Sequence, residues 1–166
     1  MGKHILEGRE LPIFFYGQAY LGALESYCVA ASFALFGVGF PSMRLVPFAF
    51  SLVLLLLVYR FTRSTFSVDA ARWATALTAV APMYFLQWNL KARGGFVEHI
   101  VLLFAVLILF WRFYANHERS NAIAVGLGFA AGIALWVNQL MIAYVVVLGA
   151  QLALIAHFDT VAGAQW

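Results

Sequence analysis

Charge is scarce in this chain of 166 residues: Lys and Arg number 10 and Asp and Glu 7, or 10% charged. A soluble domain carries about 25%. The net charge of +3 is small and dispersed, which excludes a nucleic-acid surface built on a basic patch. Cysteine is nearly missing as well. Cys28 stands alone, so there is neither a disulfide framework nor a cysteine-based zinc site, and a lone Cys in an apolar stretch is a packing residue. The N-terminus lacks an apolar core behind Lys3 and is no signal peptide, and Leu6 stands where a myristoylation signal needs Ser or Thr.

What the chain has is hydrocarbon. It is 64% hydrophobic with a mean hydropathy of +0.90. Its apolar runs are helix-length, and a backbone in lipid must satisfy its own hydrogen bonds. The expected fold is all-α: a polytopic transmembrane helix bundle with a juxtamembrane helix outside it. Five spans are expected, at about 42–59, 70–87, 96–113, 122–137 and 140–157. Pro82 is expected to kink the second. The fourth is rich in small residues, among them Gly126, Gly128 and Gly132, which permit close helix approach. Residues 1–20 read as a loop with interfacial aromatics, and the whole chain as one partial membrane domain.

Residues 21–38 are apolar but interrupted by Glu25 in the first turn. Leu21, Leu24, Cys28, Ala31 and Leu35 fall on one helical face, a pattern that suits a helix lying at the membrane interface rather than crossing it. That reading decides the topology. The Lys and Arg count is nearly balanced between the two sides. Glu7, Glu10, Glu25 and Glu98 gather on one side if 21–38 does not cross, whereas Arg60, Arg63 and Arg72 flank two spans on the other. The arginine loop is therefore placed in the cytoplasm, with Arg112 and Arg119 as further topology charges. Tyr16, Gln18, Tyr20, Glu25 and Lys91–Glu98 are placed together outside.

The densest polar cluster is Gln87-Trp-Asn-Leu-Lys91-Ala-Arg93-Gly-Gly-Phe-Val-Glu98-His99, set between two apolar segments. A charged group at a helix centre costs roughly 2.5–3.5 kcal/mol on insertion scales, so charges beside hydrocarbon are candidates for function. Five motifs then occur in series: Glu7-Gly-Arg-Glu-Leu-Pro12, Phe15-Tyr-Gly-Gln-Ala-Tyr-Leu-Gly-Ala-Leu-Glu25, Leu35-Phe-Gly37, Met43-Arg-Leu-Val-Pro47 and Lys91-Ala-Arg-Gly-Gly-Phe-Val-Glu98. Over residues 1–140 that order resembles the bacterial polyprenyl-phosphate-sugar glycosyltransferases. These belong to the GT-C superfamily, with the protein O-mannosyltransferases and the aminoarabinose transferase of lipid A.

The resemblance implies a multi-pass enzyme of the bacterial inner membrane. It takes a sugar from a polyprenyl-phosphate carrier and passes it to a glycan, lipid or protein acceptor at the extracytoplasmic face. It also implies a catalytic acidic pair just after a first span. This chain starts where that loop is already under way, so a fragment truncated at both ends and inactive alone is expected, and Glu7 and Glu10 are not assigned to the catalytic position.

A polyprenyl-phosphate donor needs its growing phosphate charge held by cations and an acceptor hydroxyl deprotonated by a carboxylate. Lys91 and Arg93 are the candidate donor-phosphate ligands, and the competing reading is snorkelling anchors at a helix end. Gly94 and Gly95 allow close backbone approach. Glu25 and Glu98 are candidates for substrate binding or for sharing a divalent metal ion, Glu98 competing with a helix-capping role. Tyr16, Gln18 and Tyr20 are candidates for contacting sugar and equally suit anchoring. His99 and Arg44 are read as packing and anchor residues. Two other classes remain open: a transporter or flippase subunit, with polar groups along a pathway, and a non-catalytic membrane scaffold.

Overall fold

The computed structural model describes residues 1–114 and 120–163. Arg119 lies outside the described residues. Helix α1 (Gly2–Leu6) leads into a hairpin of β1 (Phe14–Phe15) and β2 (Gln18–Gly22), then α2 (Leu24–Phe36) and α3 (Phe40–Thr65). There follow α4 (Val68–Ala79), α5 (Met83–Asn89), α6 (Phe96–Tyr114), α7 (Asn121–Val137) and α8 (Met141–Gly163). The expected helical membrane fold is what the chain adopts, with the hairpin as the one departure from all-α among the described residues.

Each boundary has a local cause. Gly37, at φ 81°, ends α2, and Gly39 with Pro41 starts α3. Ser67 and Ser120 cap α4 and α7, their hydroxyls accepting from the Ala70 and Ile123 amides at 3.1 and 3.3 Å. The segment expected as one span over 70–87 is two helices, α4 and α5, separated by Val80–Pro82. Pro82 has no N–H to give Thr78 and its ring would crowd that carbonyl, so the kink becomes a break.

Among the described residues two helices are long and apolar enough to cross a membrane, α3 with 26 residues and α6 with 19. At about 1.5 Å per residue these reach roughly 39 and 28 Å, against a hydrocarbon core of about 30 Å. Helix α2 has 13 residues, about 20 Å, shorter than that core. Helix α7 and the stretch Met141–His157 are shorter apolar helices.

Helix α6 is the centre of the packing. One side meets α3 through Leu54, Val58 and Val101, with Phe61 and Phe104 edge to face at 5.8 Å. The other side meets α7 and α8 through Val106, Ala134 and Met141. The outward faces stay apolar: Leu52, Val53 and Leu56 on α3, Val125 and Phe129 on α7, Val146, Val147 and Leu154 on α8 are exposed. Side chains like these suit lipid contact. Alanines of α7 do pack into the core, but a Cβ at Gly126, Gly128 or Gly132 would meet nothing within 4 Å. Of the small residues in this helix it is Ala130, Ala131 and Ala134 that meet α6 and α8, and not these glycines.

Candidate functional site

Four segments distant in sequence converge at one end of the bundle. Strand β2 lies against the corner between α7 and α8: Leu21 bridges to Asn138, and the Gln139 amide donates to the Tyr20 carbonyl at 3.3 Å. Gly22 is needed for that contact, because a Cβ there would sit 2.6 Å from the Trp136 carbonyl oxygen. Ile13 ties the other side of the hairpin, its carbonyl accepting from the Ala23 amide and from Trp136 Nε1, both at 3.1 Å. The hairpin thus delivers the chain into α2 with Glu25 in the first turn, facing inward.

Glu25 and Glu98, from the first turns of α2 and α6, are both buried, 3% and 1% exposed. One oxygen of Glu25 accepts a hydrogen bond from the Gly94 amide. Oε1 of Glu25 and Oε1 of Glu98 are buried without a partner. An ionised carboxylate in that state is expensive, because desolvation is not repaid by hydrogen bonds. Burial, and then the neighbouring Glu98, push the Glu25 carboxyl up to about 8, with the Gly94 amide pulling the other way.

The loop between α5 and α6 lies over these acids. Gly94 and Gly95 have φ of 82° and 72°, the left-handed region that glycine adopts without steric cost. A Cβ on Gly94 would come 2.9 Å from the Phe15 ring, and one on Gly95 would come 2.8 Å from the Val137 carbonyl oxygen. The close approach that the two glycines permit is to the protein's own hairpin and α7. The turn leaves Lys91 and Arg93 exposed beside it.

The aromatic candidates divide between two cavities. Tyr16 lines one of about 210 Å³ together with Met1, Phe15, Glu25, Ser26 and Ala92. Its hydroxyl donates to Glu10, which also meets His4 Nδ1 at 2.6 Å. Tyr20, 51% exposed, lines a larger cavity of about 850 Å³ with Leu21, Phe96, Asn138, Gln139 and Ile142. Gln18 is half-buried with Oε1 lacking a partner. Arg44 stacks over the Phe40 ring at 4.2 Å, and His99 lies against Tyr144 at 6.1 Å between centroids. Glu7 is paired with Arg9 at 2.9 Å and Lys3 at 3.7 Å.

Asn138 is a site residue that lies outside every motif named in the sequence. It is 2% exposed, its Nδ2 donates to the Gly95 carbonyl at 3.4 Å, and its Oδ1 accepts from the Leu140 amide at 3.0 Å. The available signal was an Asn between two apolar helices, a polar group that needs partners once buried.

A helical chain with lipid-suited outer faces, and with buried acids gathered under a cationic loop at one end, has the make-up of a membrane protein. Residues 23–162 match the family model described as dolichyl-phosphate-mannose-protein mannosyltransferase, and the chain belongs to that family. It is a family of membrane glycosyltransferases of GT-C type, which implies a lipid-linked sugar donor. Neither the curated proteins nor the solved structures contain a match to the chain.

Proposed function

We propose that this chain forms the donor side of a glycosyltransferase that takes a sugar from a polyprenyl-phosphate carrier at the extracytoplasmic face of a bacterial inner membrane. The observation that carries the reading is the convergence of Lys91, Arg93, Glu25 and Glu98 on one end of the bundle, tied by the Gly94 amide to the Glu25 carboxylate. Transfer breaks the bond between the anomeric carbon and the phosphate oxygen, and negative charge grows on the phosphate as it leaves. Arg93 is suited to grip that phosphate with paired N–H groups and Lys91 to act as a point charge at headgroup depth.

Glu25 and Glu98 suit a hard divalent cation, since each presents a buried carboxylate oxygen without a partner. Among the described residues no three His, Cys, Asp or Glu side chains converge. The cation would take two carboxylates from the protein and its other ligands from water and phosphate. Bound there, it would neutralise the leaving phosphate. The acceptor, a glycan, lipid or protein, has to be deprotonated by a base, a role for which we assign no residue.

The test is binding of polyprenyl monophosphate to the purified protein in nanodiscs. Lys91→Ala with Arg93→Ala should weaken it about 100-fold, from two charge-assisted contacts of roughly 1.5 kcal/mol or more each. Unchanged affinity would sink the phosphate role. In intact cells, the protein with Cys28→Ser and Lys91→Cys should react with a membrane-impermeant thiol reagent added outside. Labelling from the cytoplasmic side alone would reverse the orientation.

A further inference from the structure

We propose that Asn138 is a positioning residue that sets the phosphate-holding loop, through the Gly95 carbonyl, from the corner between α7 and α8. The inference rests on the donor-site reading of Lys91 and Arg93 given above.

Asn138 closes α7 with extended backbone, φ −154° and ψ 121°, after its amide has donated to the Ala134 carbonyl. That geometry frees both ends of its side chain. Oδ1 accepts from the amide two residues on, Leu140, at 3.0 Å just ahead of α8, and Nδ2 reaches the Gly95 carbonyl at 3.4 Å. The backbone of the same residue bridges to Leu21 of the hairpin. Three segments that frame the site, β2, the glycine turn and the start of α8, therefore meet at one buried residue.

The glycine turn is held from two sides. Glu25 takes the Gly94 amide, and Asn138 takes the Gly95 carbonyl one residue on. Gly95 also lies against the Val137 carbonyl, next to Asn138, as the 2.8 Å distance from a built Cβ shows. Lys91 and Arg93 precede this turn by a few bonds, so its orientation decides where their side chains begin. The Gly95 carbonyl stands just before α6 and already accepts the first bond of that helix. The Asn138 donor is therefore what ties this end of the turn to the corner between α7 and α8, and without it the turn is free to shift against that corner. Two long cationic side chains started from a displaced turn cannot meet one phosphate with the same geometry.

Asn138→Ser separates this role from local capping. A serine hydroxyl still reaches the Leu140 amide but is too short for the Gly95 carbonyl. In the nanodisc protein its Kd for polyprenyl monophosphate should rise about tenfold, with the thermal midpoint within a few degrees of the parent. The decisive readout is a double-mutant cycle. Arg93→Ala should cost about tenfold in the parent but under about threefold in the Asn138→Ser background, because Arg93 is no longer in place to contribute. Additive losses, or an unchanged Kd in Asn138→Ser, would overturn the inference while leaving the donor reading standing. If Arg93→Ala costs nothing in the parent, the donor reading falls and takes this one with it. Asn138→Asp, similar in size but with the donor replaced by an acceptor, runs the same cycle and should weaken binding at least as much, so recovery of the Ser variant is not required.

Discussion

The two ends of the bundle are made differently. At the arginine end the hydrogen bonds are local: Ser67 caps the Ala70 amide three residues on, and Arg72 meets Asp69 at 3.0 Å across one helical turn. At the site end they join residues far apart in sequence: Gly94 to Glu25, Gly95 to Asn138, Ile13 to Trp136. Charges differ in the same way. Asp69 and Arg72 are 82% and 71% exposed, whereas Glu25 and Glu98 are buried. An exposed pair contributes at most a few tenths of a kcal/mol to about 1. Buried acids lower stability unless something neutralises them, so the two gathered at this end of the bundle carry a folding cost that the exposed pair does not.

Equivalent substitutions at the two kinds of place should separate them. Gly95→Ala should cost about 2–4 kcal/mol, from left-handed strain and the 2.8 Å contact with Val137. Gly128→Ala, in α7 with nothing within 4 Å of a built Cβ, should stabilise by about 0.5–1 kcal/mol through helix propensity. Both are read by thermal unfolding in nanodiscs. Equal effects would erase the contrast.

A smaller effect is expected from pH. A Glu25 carboxyl raised from 4.5 to about 8 holds its proton in the folded protein where the unfolded chain has lost it. Its contribution is full below about 4.5 and is lost as pH climbs through about 8. The thermal midpoint should drop by several degrees between pH 5 and pH 9, and Glu25→Gln should flatten that slope. Millimolar magnesium or manganese should recover stability near pH 8 and above, because it binds the ionised pair. A slope unchanged in Glu25→Gln would show that other groups cause it.

The smallest effect belongs to the arginine end. Ser67→Ala removes one cap and should cost about 1 kcal/mol, with no change in Kd for polyprenyl monophosphate. A change in affinity would mean that the two ends communicate.

Much of this layout was legible. Glu25 within an apolar helix, and Lys91 to Glu98 between two apolar segments, stand out because charge beside hydrocarbon is costly. An interfacial placement of 21–38 puts them on one side, and α2 at 13 residues is short for a span. Pro82 announced a disturbance, though whether a helix bends or stops depends on what packs beside it. The hairpin at 14–22 was not legible, since its pairing is two residues against five with an irregular register. Nor was the division of Tyr16 and Tyr20 between two cavities, since Tyr16 stands in the turn between the strands and Tyr20 within β2.

By itself the sequence determined the solvent this protein lives in, the helices, and the turns that end them, because hydropathy, caps, prolines and glycines act over a few residues. Its match to a family of membrane glycosyltransferases over residues 23–162 rests on that same one-dimensional order. Only the tertiary structure decided that the two glycines after Arg93 lie against Glu25 on one side and Asn138 on the other. Those contacts span 69 and 43 residues. They exist because α2, α6 and the corner between α7 and α8 are packed at one end of the bundle, where buried backbone groups must find partners in whatever the fold brings near.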